Sequence, residues 1–303
     1  MIHLPHCPQM AGLAARTSDK RADVQLGGSV SWKAFRDGFP DLLVENAKSL
    51  RNQDVAFLAS LDEPAEIFRQ LALIFEIPRL VVRSLTLVLP FFPVGTMERV
   101  DQEGQVATAS SLARMISLTP FSLGGPTQLI IFDIHALQER FYFTDAVIPR
   151  LETAIPLLLE RLEEEPEAAI AFPDAGAQKR FGGMFPGRHT ILCRKVRQGD
   201  MRRVTIEEGD PSGRHVVIVD DLVMTGGTLL QCAEALRDGG ATRISAYVSH
   251  GVFPERTWSK FEDAGFHRFW FTDSCPRTVN AIAGRRPFEV LSLAGRIAEL
   301  LGE

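Results

Sequence analysis

Apolar positions in this chain gather in short runs bounded by polar stretches. Val55–Ala59, Leu80–Leu89, Leu129–Phe132, Ala168–Phe172, Val216–Val219 and Ile244–Val248 are such runs. Several are apolar throughout and rich in Val and Ile, the composition of strands covered on both faces. Between them the apolar residues recur at helical spacing. "DEPAEIFRQLALIF" sets Ile67, Leu71 and Ile74 on one face, with Asp62 as the expected cap and Pro64 in the first turn. "LETAIPLLLERLEEEP" predicts a helix from Leu151 that ends in a polar cluster before Pro166. "GGTLLQCAEALRDGG" places Leu229, Ala233 and Leu236 at helical spacing and stops at Gly239-Gly240. "LSLAGRIAELLG" predicts a last short amphipathic helix after a Ser292 cap. Strand and helix alternate throughout, so the fold class is α/β with mainly parallel sheets. The alternation is doubled, with one block over 1–150 and another over 151–303. The acidic stretch Glu163–Glu167 reads as the solvated end of a helix, not as a linker.

Composition narrows the class without changing the fold. The 303 residues are 45% hydrophobic and 23% charged, the profile of a soluble globular protein. A formal net charge of −5 gives no basic field for nucleic acid. No apolar run reaches the ~18–20 residues that span a bilayer, so no membrane association is expected. The first residues, "MIHLPHCPQMAGLAARTSDKR", lack the charged leader and apolar core of a signal peptide. Cys7, Cys193, Cys232 and Cys275 lie far apart with no Cys-x-x-Cys pair. Reduced thiols in a cytoplasmic protein are the expectation.

The chemistry concentrates in "HVVIVDDLVMTGGTLL", His215 to Leu230. In open parallel sheets, ligands bind beyond the carboxyl ends of the strands. The run Val216–Val219 meets that rim at Asp220-Asp221, and two adjacent acids suggest a strand already turning into a loop. Thr225-Gly226-Gly227-Thr228 then opens a helix whose first N–H groups lack intrahelical partners and attract anions. Glycines let the backbone approach an anion closely, and the Thr225 and Thr228 hydroxyls add donors. The two carboxylates nearby can accept hydrogen bonds from sugar hydroxyls, so a sugar phosphate is the natural ligand. The bland alternative is a polar helix cap, which does not explain the paired acids. No Gly-Lys-Thr follows, so the loop is not a Walker P-loop, and it is not a Rossmann fingerprint.

"VVIVDDLVMTGGT" resembles the signature with which type I phosphoribosyl proteins hold ribose 5-phosphate or phosphoribosyl pyrophosphate. "FDIHALQERFYF" (Phe132–Phe143), "AFPDAGAQKRF" (Ala171–Phe181), "CRKVRQGD" (Cys193–Asp200) and "LVLPFFPVGTMERVDQEGQVATA" (Leu87–Ala109) extend the likeness. Together they resemble the ribose-phosphate pyrophosphokinases, or phosphoribosyl pyrophosphate synthetases, most closely the divergent plant-type class II enzymes. The likeness runs from about Trp32 to the end. The sugar-phosphate loop alone is shared with many phosphoribosyltransferases, whereas the order of all five segments is specific.

The resemblance implies two tandem type I phosphoribosyltransferase-like domains. The first, 1–150, is expected to carry the nucleotide side and subunit contacts. The second, 151–303, is expected to carry the ribose 5-phosphate site and the catalytic loop. The implied reaction moves the β,γ-diphosphoryl group of ATP to the 1-hydroxyl of ribose 5-phosphate, giving phosphoribosyl pyrophosphate and AMP. Catalysis is then positioning and charge stabilisation, without a covalent intermediate. Mg2+ is the implied cofactor, with sparse protein ligands. Carried over residue by residue, the family's metal–triphosphate contacts fall on His135 and Asp174. The lysine and arginine of its catalytic loop fall on Lys195 and Arg197, two apart, so that in a strand both face one way. Phe35 and Asp37 fall near the adenine from a neighbouring subunit, and Arg99 remains on the nucleotide side. A homo-oligomer with its nucleotide site near a subunit interface is implied.

Three departures from class I stand out: Phe39 for an acid after Gly38, Thr96-Met97 for an arginine and a glutamine, and Met224 for an acid in the sugar-phosphate loop. They read as marks of the subclass. Two other functions fit parts of the chain. A phosphoribosyltransferase needs only the second block and leaves "FRDGF" and "PFFPVG" without a role. A non-catalytic synthetase-associated subunit is expected to have lost charges of the site, yet His135, Asp174, Lys195, Arg197, Asp220 and Asp221 all stand.

Overall fold

The computed structural model describes residues 1–198 and 201–303; for Arg197, Gln198, Met201 and Arg202 only the backbone is described. The chain divides into two compact units, one of Met1–Thr153 with Leu293–Glu303, the other of Ala154–Ser292.

The first unit contains β1 (Ile2–His3), α1 (Ala11–Lys20), β2 (Val24–Gln25), β3 (Val30–Ala34), β4 (Pro40–Val44) and β5 (Asp54–Leu58). It continues with α2 (Pro64–Arg79), β6 (Ser84–Val88), α3 (Thr108–Ile116), β7 (Thr127–Phe132) and β8 (Val147–Glu152). Its sheet has the order β2-β1-β5-β6-β7-β8, and every pairing is parallel. β3 and β4 form a separate antiparallel hairpin. The central strands are buried on both faces, as Phe57, Leu87 and Leu129 show on one face and Leu58, Val88 and Ile130 on the other.

The second unit contains α4 (Ile155–Leu162), β9 (Ala169–Phe172), α5 (Ala175–Phe181), β10 (Thr190–Gln198), β11 (Met201–Glu208) and β12 (His215–Val223). After these come α6 (Gly227–Asp238), β13 (Arg243–Gly251), β14 (Phe269–Thr272), α7 (Pro276–Ile282) and β15 (Phe288–Leu291). The order is β11-β10-β9-β12-β13-β14-β15, parallel except for the β10–β11 edge. Alternation splits the core. Val216 and Ile218 pack with Leu229, Cys232, Ala233 and Leu236 of α6. Val217 and Val219 pack on the other face with Leu158 and Leu162 of α4 and Phe181 of α5.

Several expected boundaries move. The run Leu80–Leu89 is not all strand: α2 reaches Arg79, Val81 takes a left-handed φ of 63° that ends it, and β6 starts only at Ser84. The N-cap of α2 is Glu63, while Asp62 accepts from Ser60 Oγ at 2.9 Å. Leu151 does not begin a helix; it pairs with Ile131 in the sheet, and α4 starts at Ile155 with Pro156 in its first turn. Ser292 does not cap the last helix, because its hydroxyl donates to Asp273 at 2.7 Å. That helix, α8 (Ala294–Leu300), follows an N-cap at Leu293 and belongs to the first unit, not to the block expected over 151–303. Arg21 Nη1 donates to Ala298 O at 3.2 Å and helps to hold α8 there. Among the described residues, no helix is long and apolar enough to cross a membrane.

Candidate active site

In the second unit, the end of β12 differs from the expected turn. The strand continues through both acids to Val223, keeping its register with β13 from Asp220↔Val248 to Val223↔Gly251. Its other neighbour, β9, stops at Ile218. One edge of β12 is therefore no longer paired with β9 beside the acids. Strand alternation carries Asp220 to the α6 face and Asp221 to the opposite one. Each carboxylate accepts a local backbone N–H, Asp221 N to Asp220 Oδ1 at 3.0 Å and Leu222 N to Asp221 Oδ1 at 2.8 Å. Burial at the strand end, then the Asp221 and Asp174 carboxylates, push the Asp220 carboxyl well above the usual carboxylate range.

The Thr225–Thr228 loop follows directly. Gly226 is the N-cap of α6 with φ of 80°, a left-handed conformation that suits glycine. A Cβ added at Gly226 would run into the Phe261 ring. One at Gly227 would meet nothing within 4 Å, so the outward side of the turn is open. Asp174 caps the neighbouring helix α5, where its Oδ1 accepts from Ala177 N at 3.0 Å. The carboxylate keeps its second oxygen for another partner.

The expected catalytic loop starts as an antiparallel ribbon of β10 and β11. In the backbone register of this ribbon, Lys195 pairs with Val204 and Arg197 with Arg202. Lys195 is exposed; the Arg197 side chain lies outside the described residues. Two residues before Lys195, Cys193 is buried with its Sγ 3.4 Å from Cys232 of α6. All four cysteines are free thiols.

In the first unit, the β3–β4 hairpin carries Phe35 and Asp37 at its tip. Phe35 and Phe39 are exposed, and Phe39 meets Phe68 of α2 edge-on at 6.3 Å. Asp37 Oδ1 accepts from Phe39 N at 3.1 Å and shapes the tip, whose Gly38 has φ of 89°. Further along the unit, a cavity of about 270 Å³ is lined by Thr96, Met97, Glu98, Arg99, Asp101, Gln105 and His135. The structure thus brings Arg99 and His135 to one pocket and leaves Phe35 and Asp37 off its lining. Burial opposes it, but the guanidinium of Arg99, at 2.8 Å, holds the Glu98 carboxyl below its usual range.

Sequence reasoning missed Glu98, Asp101 and Gln105 in this pocket. It also missed buried Glu139, whose carboxylate accepts Ala136 N at 2.9 Å beside His135. The acid three residues after a helical start was the available signal for Glu139. Nothing in the spacing of the other three separates them from surface residues. Among the described residues, no group of three or more His, Cys, Asp or Glu is arranged to hold a metal ion by itself.

A mainly parallel sheet with an acid pair and a glycine turn at a strand end is the architecture of type I phosphoribosyl proteins. A family model described as "Phosphoribosyl transferase domain" matches residues 188–279, from just before β10 into α7. Ribose-phosphate pyrophosphokinase 3, chloroplastic, of Oryza sativa subsp. japonica is 53% identical over 99% of this chain and 76% of its own length. Ribose-phosphate pyrophosphokinase 4 of Arabidopsis thaliana is 52% identical over 99% of this chain and 91% of its own. The crystal structure of phosphoribosylpyrophosphate synthetase from Mycobacterium smegmatis shares the fold, with a TM-score of 0.84 at 21% identity, over 99% of this chain and 97% of its own. The chain belongs to the ribose-phosphate pyrophosphokinase family, and it is an enzyme.

Proposed function

We propose that the protein transfers the β,γ-diphosphoryl group of ATP to the 1-hydroxyl of ribose 5-phosphate. The hydroxyl oxygen bonds to the β-phosphorus, the bond from that phosphorus to the α,β-bridging oxygen breaks, and AMP leaves; the hydroxyl proton is lost. The observation that carries this reading is the end of β12, where paired acids precede an open, glycine-bearing helix start.

Thr225, Gly226, Gly227 and Thr228 hold the 5-phosphate through N–H and hydroxyl donors. Asp220 and Asp221 accept from the ring hydroxyls. Lys195 and Arg197 neutralise charge that develops as the bond to AMP breaks. Arg99 and His135 take the triphosphate side of the nucleotide. Phe35 and Asp37 meet the adenine, supplied by a second copy of the chain in a homo-oligomer, a role that suits an exposed hairpin tip. Light scattering of the purified protein tests that assembly.

Magnesium fits the donor set. Asp174 retains a carboxylate oxygen, a hard donor of the kind this ion takes. Asp174 would be one of its few protein contacts, with water and substrate phosphates as the rest. When bound, the ion neutralises phosphate charge. Cytoplasmic residence belongs to the same proposal and suits four free thiols; the rice relative is named chloroplastic, and cell fractionation decides the matter.

AMP formation that requires both ATP and ribose 5-phosphate is the expected result of a coupled assay. Formation of AMP without ribose 5-phosphate, or no reaction, overturns the reading. A phosphoribosyltransferase would consume phosphoribosyl pyrophosphate in the same assay, and a regulatory subunit would do neither.

A further inference from the structure

The sugar-phosphate loop is braced by a segment with no role in the reading so far, residues 257–261. Thr257, Lys260 and Phe261 lie in the closing turn of the 3-10 helix Pro254–Phe261. Each meets a successive residue of the loop. Thr257 Oγ1 donates to Met224 O at 2.8 Å. Lys260 Nζ donates to Thr225 O at 3.5 Å. The fully buried Phe261 ring fills the space beside the Gly226 α-carbon. The chain reaches this turn through three non-glycine residues with left-handed φ, Phe253 at 44°, Glu255 at 53° and Arg256 at 62°. Strain of this kind persists only where the surroundings enforce it, and it clusters at working sites. Phe261 also packs edge-on against Phe253 and Phe269, with ring centroids 5.6 and 5.0 Å apart, which anchors the brace in the core.

The peptide group gives these contacts a consequence. In a trans peptide the C=O of one residue and the N–H of the next lie in one plane and point in opposite directions. Drawing the carbonyls of Met224 and Thr225 toward the brace therefore aims the N–H groups of Thr225 and Gly226 away from it. Those are donors of the phosphate cradle.

We propose that Thr257 and Lys260 are positioning residues for ribose 5-phosphate, acting through the orientation of two loop peptides. This rests on the sugar-phosphate reading of the loop. Kinetics of the full chain test it, with both Michaelis constants and the melting temperature measured for each variant. Thr257→Val keeps the shape and removes the donor. It is expected to raise the KM for ribose 5-phosphate about fivefold, the share of one neutral hydrogen bond, and to leave the KM for ATP unchanged. Thr257→Ser, which keeps the hydroxyl, is expected to restore the wild-type value. Lys260→Gln acts at an exposed position and gives the same split if Thr257→Val does not fold. A wild-type KM for ribose 5-phosphate in a folded Thr257→Val and in Lys260→Gln overturns the brace, as does an equal rise in both KM values. Gly227→Glu serves as the reference for the cradle itself. If it raises the KM for ribose 5-phosphate while the brace variants do not, only the brace fails. If it changes nothing, the sugar-phosphate reading fails and the brace falls with it.

Discussion

The two units hold their candidate residues in opposite ways. In the second, the sugar-phosphate turn joins a strand whose Val216–Val219 are fully buried to a helix of 12 residues, and Gly226 rests against a buried phenylalanine. In the first, the nucleotide-side residues ride on exposed segments: Phe35 is 57% exposed and the Arg99 side chain 75%. On the proposed reading the sugar-phosphate site is therefore preorganised, whereas nucleotide binding must order side chains at roughly 0.5–1.5 kcal/mol each. A rigid cradle selects its ligand by geometry. A loose pocket leaves affinity to charge and to whatever else closes on the ligand.

Lys195 tests whether that division is complete, because on our reading it serves neither binding site in the ground state. Lys195→Ala is expected to lower the turnover number roughly a hundred- to a thousandfold, about 2.7–4 kcal/mol, with both KM values little changed. Steady-state kinetics with each substrate varied in turn check this. A rise in the KM for ATP with turnover intact would make the β10–β11 ribbon a third binding element.

The two loop glycines sharpen the claim of preorganisation. Gly226→Ala forces a Cβ into left-handed backbone and toward Phe261, which is expected to cost about 1–3 kcal/mol of stability and to loosen ribose 5-phosphate binding. Gly227→Ala enters open space and is expected to leave the melting temperature unchanged. A bulkier residue at Gly227, such as Leu, is expected to raise the KM for ribose 5-phosphate by about an order of magnitude, since it occupies the place of a charged, hydrogen-bonded group. Equal effects of alanine at both positions on the melting temperature would break the argument.

Legibility in the sequence followed the same division. Runs that are Val- and Ile-rich and buried on both faces declared the central strands, and Gly-Gly pairs marked the start and end of α6. β1, β2 and the β3–β4 hairpin carried no such run: β1 and β2 have two residues each, and the hairpin is only partly buried. The strand character of Asp220 and Asp221 was hidden because polar residues read as a turn, whereas pairing with β13 continues through the strand end. α8 returned to the first unit through tertiary packing, which no local pattern records. The proposed sugar-phosphate residues stand out in the sequence because their chemistry is contiguous in the chain. Glu98 does not, because it joins His135 in one pocket only in the fold; Glu139 had a local signal, three residues after the start of its turn, that sequence reasoning missed.

Donor choice probes the loose side. Thr96 and Met97 line the pocket with Arg99 and His135. A Met side chain offers adaptable apolar surface, and an Arg-Gln pair at the same positions would offer fixed donors. Strong rejection of an analogue requires buried polar groups that it leaves unpaired. Turnover with GTP, CTP or UTP is therefore expected within about 1–3 kcal/mol of that with ATP. Specificity constants for the four nucleotides at one magnesium concentration decide it. A preference for ATP above ~10⁴-fold, the range of sites that pair every polar group, would show that other residues read the base.

The smallest expected effect concerns the rigid side at the opposite end of β12. His215 opens that strand, with Nε2 at 2.9 Å from Ser245 Oγ and Nδ1 at 3.3 Å from the Glu165 carboxylate. Arg243 reaches the same carboxylate at 3.0 Å, and the His267 ring stands edge-on to His215 at 5.7 Å. Burial pushes the His215 imidazole below its ordinary value, against the pull of Glu165. Burial opposes it, but His215 and Arg243 hold the Glu165 carboxyl below its own. A histidine with a lowered folded-state value is favoured neutral. Its contribution to stability is present above the unfolded value of about 6.5 and is lost as pH falls through the lowered one. Glu165 adds a loss of the same sign further into acid. The second unit is therefore expected to soften as pH falls below about 6.5. Hydrogen exchange of β12 and β7 amides, corrected for intrinsic rates, reads the two units separately. His215→Gln is expected to flatten the β12 response; an unchanged pH slope in that variant would place the acid sensitivity elsewhere.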